Sequence, residues 1–269
     1  MAPLPPIPEA QGARHAIVLT SYRRPGNIAR IASACTQTAT PSDVLLIDNA
    51  DDAALRVRPE HLPRSVRYLP NARNLGAGYR FLMASQLDYD RFLFIDDDIF
   101  LTAAQIDTLF AALDREPGRA HGVWGEIIER RWRGLRFKTH IQSATREVDI
   151  LNRVYALSAS QTRGAIALAR GLGIDDWADI GPTDDILVSF AGAERPMCHD
   201  VGSLAECSSS DQPGIAVWRR RGFYKARRAM VHALLRRSAR ARGTTWLKFG
   251  MPILHRANES RASTRQKEL

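Results

Sequence analysis

Short apolar runs of period two alternate with longer stretches of helical period through the first half of the chain. Residues 15–22 (HAIVLTSY) predict a strand ending in the turn-like RRPGN. Residues 27–38 follow with Ile28, Ile31 and Ala32 at helical spacing. Residues 43–48 (DVLLID) and 65–69 predict two more strands, and residues 78–87 a helix with Phe81, Leu82 and Leu87 on its apolar side. Residues 91–95 (RFLFI) return to strand. Thr102 is placed to cap a helix over 103–113, where Ile106, Leu109, Phe110 and Leu113 form one stripe. Strands alternating with helices predict parallel β-α units in one sheet.

From about residue 121 the pattern changes. HGVWGEII, LRFKTHI and REVDILN predict strands joined by Arg- and Gly-containing turns, so this section is expected to be antiparallel. Helices are expected at 165–171, after Thr183 as a cap for DDILVSFA, and over 223–242. The expected architecture is α/β, a mixed central sheet flanked by helices.

Charge divides the chain more sharply than pattern does. Residues 212–269 hold 15 of the 38 Lys+Arg but only 2 of the 29 Asp+Glu, so a mildly acidic body trails a strongly basic segment. The expected division is a body over 14–211 and a basic helical extension over 212–269. No apolar run is long enough to span a bilayer, and the N-terminus has no signal-like apolar core. Cys35, Cys198 and Cys207 show no metal or redox spacing, which fits a reduced, cytoplasmic protein.

The chemistry is concentrated at predicted strand ends. Asp96, Asp97 and Asp98 follow RFLFI directly, and three adjacent carboxylates repel one another unless something offsets them. Ligands bind α/β sheets beyond the strands' carboxyl ends, and hard oxygen ligands there suit Mg²⁺ or Mn²⁺ shared with phosphates. Extended backbone puts Asp96 and Asp98 on one side and Asp97 on the other. Asp184 and Asp185 open a predicted helix, where dipole and capping favour anions. One carboxylate is also what a sugar hydroxyl needs as general base. Asn71, Asn74, Gly76 and Gly78 (NARNLGAG) form a Gly-rich bend before a helix, without the spacing of a P-loop or a dinucleotide fingerprint. Thr20, Tyr22 and Arg23 lie past the first strand, and Asp48 and Asn49 past the second.

The order AIVLTSYRRP, VLLIDN, NARNLGAGYRF, FLFIDDDIFL, DDILVSFA resembles A-type glycosyltransferases, both the family-2 enzymes and the exostosin catalytic domain. The resemblance covers about residues 14–200 and implies a Rossmann-like nucleotide-sugar domain. It implies Thr20, Tyr22 and Arg23 near the nucleotide, Asp48 accepting from the base, and Asn71, Asn74 and Gly76 lining the donor pocket. Asp96–Asp98 match the family's DxD motif, which implies Asp96 and Asp97 at the nucleotide and Mn²⁺ or Mg²⁺ held by Asp96 and Asp98. His199 is the expected further ligand, with His255 as an alternative. Asp184 and Asp185 match the acidic pair whose second member is the base of inverting members, although here the first is Asp rather than Glu. Trp124, Trp132 and Trp177 are candidates for sugar stacking or for core packing.

The implied activity is transfer of a sugar from a UDP-linked donor to a glycan or lipid-linked acceptor. A haloacid dehalogenase-type phosphohydrolase also places DxD after a strand, but it needs Thr or Val where this chain has Phe100. A nucleic-acid-binding protein would fit a pI near 10, yet the basicity belongs to one segment and no recognition motif accompanies it. No nucleic-acid partner is expected. In the predicted basic helix, Phe223, Met230, Leu234 and Leu235 share a side while Arg227, Arg228, Arg236, Arg237 and Arg240 fill much of the rest. Such a helix either lies on an anionic membrane surface, on the inner face, or packs on the body.

Overall fold

The computed structural model describes residues 14–131, 134–212 and 216–240. The first half runs β1 (His15–Ser21), α1 (Pro25–Cys35), β2 (Ser42–Asp48), β3 (Val66–Pro70), α2 (Tyr79–Ala84) and β4 (Arg91–Asp96). Next come β5 (Ile99–Phe100), α3 (Ala103–Arg115), β6 (His121–Gly122), β7 (Gly125–Arg131) and β8 (Gly134–Ile141). Then follow β9 (Arg146–Glu147), β10 (Ile150–Leu151), β11 (Val154–Ser158), α4 (Ala159–Gly171) and α5 (Asp184–Phe190). The last elements are β12 (Met197–Cys198), β13 (Ala205–Glu206) and α6 (Phe223–Arg240).

Among the described residues, eight strands form the main sheet in the order β3-β2-β1-β4-β11-β6-β12-β9. The first four are parallel, and β11 runs antiparallel to β4. The expected mixed sheet is therefore present. Its central strands are buried on both faces because their apolar residues alternate into two layers. Ile17, Leu19, Val44, Leu46, Leu93 and Ile95 pack with α1 and α3 residues such as Ile28, Ile31, Leu109 and Phe110. Ala16, Val18, Leu45, Ile47, Phe92 and Phe94 pack with Phe81, Ala165, Ile166 and Leu187 on the other side. The antiparallel section forms a second sheet, β10-β7-β8.

The chain passes β1, β2, β3 in one direction and then returns to lay β4 on the other side of β1. That reversal is a switch point in the strand order, the place where α/β sheets take up ligands beyond the carboxyl ends of their strands, here those of β1 and β4. Register makes this region compact: Thr20 lies opposite both Ile47 and Asp96, and Ser21 opposite Asp48.

Local signals decided several helix starts. Thr102 caps α3 as expected, in a capping box with Gln105. Ser158 does the same for α4 with Gln161, so that helix begins six residues before the expected 165. Thr183 does not cap α5, because its hydroxyl donates backwards to the Ile180 carbonyl at 2.8 Å.

The basic helix α6 packs on the body. Val231 and Leu234 are buried in the same layer as Phe81 and Leu187, and Met230 and Leu235 lie against it. Arg227 is only 2% exposed. Of the expected apolar stripe, Leu234 is buried and Met230 and Leu235 turn towards the body, so the helix packs on it. Among the described residues no helix is long and apolar enough to cross a membrane.

His199 also departs from expectation. It follows β12, three strands from β4, and the structure brings it to His121 rather than to the aspartates. His121 Nε2 lies 2.9 Å from the Glu116 carbonyl and must donate there. Its Nδ1 then accepts from His199 Nε2 at 2.8 Å. Burial, with the neighbouring His121 and Arg115, pushes His199 down to about 4. His255 and Trp132 lie outside the described residues.

Two outcomes follow from this packing. A Cβ at Gly122 would meet the Val154 carbonyl at 2.5 Å and Leu151 Cδ2 at 2.9 Å, so G122A should lose about 1–3 kcal/mol in urea unfolding. His199 binds its proton more readily unfolded, so its contribution to stability is present above pH 6.5 and is lost on acidification towards 4. H199Q should therefore show a flatter fall in melting temperature than wild type across that window.

Candidate functional site

The three aspartates at the end of β4 divide their work. Asp97 is buried and spends both oxygens on the β1–α1 loop, accepting from Tyr22 N at 2.7 Å and from Arg24 Nη1 at 2.7 Å. Its carbonyl accepts from Asn27 Nδ2 at 2.7 Å. The resemblance implies Asp97 at the nucleotide; in the structure its carboxylate clamps the β1–α1 loop instead. Burial pushes its carboxyl up to about 7, although Arg24 and the Tyr22 N–H pull it down.

Asp96 and Asp98 remain for ligands. Arg80 of α2 pairs with Asp96, whose side chain is still 31% exposed. Asp98 Oδ1 is buried without a hydrogen-bond partner, and its Oδ2 lies 3.6 Å from Arg24 Nη2. Burial raises the Asp98 carboxyl, Arg153 and Arg24 lower it, and Asp96 raises it. An anionic hard oxygen with unmet lone pairs fits a divalent cation such as Mg²⁺ or Mn²⁺. Among the described residues no group of three His, Cys, Asp or Glu is arranged to hold a metal.

The acidic pair lies on the other side of Arg80. That guanidinium is 2% exposed and reaches Asp184 Oδ2 at 3.3 Å as well as Asp96, so one buried cation joins the two carboxylate groups. Asp185 pairs with Arg227 of α6, which also donates to Glu126 Oε2 at 2.8 Å. Burial raises both Asp184 and Asp185; Arg80 opposes the shift at the first and Arg227 at the second. Gly78 packs closely here, since a Cβ would approach Trp177 Cε3 at 3.1 Å and Asp184 Cβ at 3.4 Å.

The remaining candidates build the walls. Asp48 is fully buried and accepts from Ala50 N, Val57 N and Tyr68 Oη at 3.0, 2.9 and 2.8 Å. Its oxygens thus hold the post-β2 loop rather than facing open solvent. Asn49 ties that loop to the Gly-rich bend, accepting from Asn71 Nδ2 at 2.7 Å and donating to the Gly76 carbonyl at 3.1 Å. Asn74 Oδ1 accepts from Gly76 N at 2.8 Å, and Gly76 holds φ 78°. Thr20 is buried beside Asp96 with its hydroxyl unpaired. Trp124 lies under Arg153, whose Cζ is 4.1 Å from the ring centroid, and Trp177 is packed on Gly78. Neither indole presents a free platform.

Arg23 and Arg153 both adopt left-handed backbone, at φ 65° and 63°. Non-glycine residues there carry strain of about 1–3 kcal/mol and are held by their surroundings. Here the holders are the Asp97 clamp beside Arg23 and, for Arg153, an N–H donated to Tyr155 Oη at 3.0 Å. Arg24, Arg80, Glu126, Arg153 and Arg227 also belong to the site, and no sequence pattern marks them for it. The signal available was the carboxylates themselves, which demand cations nearby.

The family described as glycosyl transferase family 2 matches residues 16–170. No curated protein matches the chain. Among solved structures, S. aureus TarS 1-349 in complex with UDP-GlcNAc is similar with a TM-score of 0.52 at 15% identity, covering 82% of this chain and 66% of that chain. TarS 1-349 in complex with UDP gives 0.50 at 17% identity, covering 82% and 65%. The likeness thus spans just under two thirds of those TarS chains, and at such identity it concerns the fold. The family match takes in more than half of the chain, including β1 through β4 and all three aspartates. This chain belongs to glycosyltransferase family 2 and has the A-type fold of a nucleotide-sugar glycosyltransferase.

Proposed function

We propose that the chain transfers a sugar from a UDP-linked donor to a hydroxyl of a glycan or lipid-linked acceptor. One observation carries this reading: the in-register ends of β1, β2 and β4 gather Asp96 and Asp98 in a crevice, and Arg80 ties Asp96 to the acidic pair. TarS has been solved with UDP-GlcNAc and with UDP, which supports a uridine nucleotide here too.

In this reading Asp98, with Asp96 beside it, holds Mn²⁺ or Mg²⁺. Such a cation, when bound, offsets the charge that builds on the departing diphosphate. The loop held by Asp97 and the bend tied by Asn49 bound the nucleotide, with Thr20, Tyr22, Asn71 and Asn74 around it. Asp185 takes the acceptor hydroxyl's proton. The oxygen then bonds to the anomeric carbon as that carbon's bond to the diphosphate breaks. A buried carboxylate is the more basic for its burial, which suits that task.

The acceptor is proposed to be presented at an anionic membrane surface. The large apolar side chains most exposed among the described residues are Val217, Trp218 and Tyr224, at 38–40%. Exposed Arg219, Arg220, Arg221, Lys225 and Arg228 flank them in sequence, and Arg219 Cζ lies 4.7 Å from the Trp218 ring centroid. Trp and Tyr favour the membrane interface, and each nearby cation adds about 1 kcal/mol on an anionic leaflet.

Calorimetry tests the donor site. UDP should bind with Mn²⁺ present and weaken in EDTA, and D98A should lose that difference while keeping its fold. Equal affinity with Mn²⁺ and with EDTA would remove the metal from the reading. Vesicle co-sedimentation tests the surface. Wild type should pellet with phosphatidylglycerol vesicles, not with phosphatidylcholine, and less as salt rises. W218S/Y224S and R219Q/R220Q/R221Q should each reduce pelleting; unchanged pelleting in both would discard this patch.

A further inference from the structure

Arg227 is the least expected residue at the site. It belongs to the most basic part of the sequence, yet it is 2% exposed. Its Nη1 donates to Asp185 Oδ2 and reaches the Pro182 carbonyl at 3.3 Å, while Nη2 donates to Glu126 Oε2 at 2.8 Å. The rings of Phe137 and Phe223 flank its Cζ at 5.3 and 5.2 Å. Docking α6 by itself does not call for this arrangement. Val231 and Leu234 already bury an apolar face, and a buried ion pair is often no more stabilising than apolar side chains of similar volume. A guanidinium fixed on one oxygen keeps a buried carboxylate in the ionised form, the only form that can accept a proton. Asp185 Oδ1 meanwhile accepts from the Ile186 N–H at 2.8 Å.

We propose that Arg227 is a positioning residue for the base: anchored on Glu126, it holds the Asp185 carboxylate ionised and in one orientation. This rests on the reading of Asp185 as the base. The charged and titratable groups around Asp185 come from every element packed there: Arg227 from α6, Glu126 from β7, Asp184 from α5 itself, and Tyr155 from β11. Arg80 of α2 lies beyond Asp184. Arg227 and Glu126 act on Asp185 in opposite senses. The cation favours the carboxylate, whereas Glu126 is a like charge that also shares the cation.

Those opposite senses make the test. Carbon-13 NMR of aspartate carboxyls, with the Asp185 signal identified by its loss in D185N, reads the protonation directly in the full chain. R227Q should move the Asp185 midpoint up by about a pH unit or more, and E126Q should move it down. R227K keeps the charge and should stay nearer wild type. A merely structural role predicts lower melting temperatures in R227Q and E126Q without these opposed shifts. Midpoints unmoved, or moved in the same direction, would overturn the inference. If R227Q does not fold, E126Q still decides, since no downward shift there is also fatal. UDP release from UDP-GlcNAc, with water as acceptor, separates this from the reading beneath it. D185N turning over like wild type would sink the base assignment whatever the NMR shows.

Discussion

Six carboxylates crowd one end of this sheet, and their mutual repulsion is the constraint the rest of the structure answers. Asp96, Asp97, Asp98, Asp184, Asp185 and Glu126 are all buried or nearly so, apart from part of Asp96. Two like charges 4 Å apart at an effective dielectric of 20 repel by about 4 kcal/mol. The chain offsets this with four arginines, each delivered by a different element. Arg24 comes from the β1–α1 loop, Arg80 from α2, Arg153 from the turn before β11, and Arg227 from α6. Fold and site are therefore one arrangement, because the helices that close the core also carry the counter-charges.

Arg80 makes that arrangement cooperative. It is bonded at once to the end of β4 and to the start of α5, so a change of charge at Asp96 alters what Asp184 feels through the same guanidinium. Asp96 and Asp184 are electrically joined although 88 positions separate them in sequence. Asp97 gives the crevice its shape without facing it, by trading its charge for a fixed β1–α1 loop.

Much of this was legible in sequence, for physical reasons. Runs such as DVLLID and RFLFI are two-sided strands, and the carboxylates at their ends, Asp48 and Asp96, fall where register later places them. The DDD was legible because adjacent carboxylates after an apolar strand need an explanation. The arginines were not. Arg24 meets Asp97 across 73 positions, and Arg80 meets Asp184 across 104, so no local pattern marks them. Arg227 was hidden further by its neighbours, since a run of cations is read as a solvated face. His199 failed for the opposite reason: its type suited a metal, but β12 joins the sheet too far from β4. Thr183 had the right identity for a cap, and the Ile180 carbonyl competed successfully for its hydroxyl.

The position of α6 has a consequence for how the protein is made. Glu126 and Arg227 meet across 101 positions, and Asp185 meets Arg227 across 42. A ribosome that has delivered every strand of the main sheet has not yet delivered the cation that completes the acidic pair. Until residues 223–240 emerge and dock, the nascent domain holds its carboxylates with one guanidinium missing. Synthesis order thus lets Asp185 and Glu126 reach their final charge state only after α6 has docked.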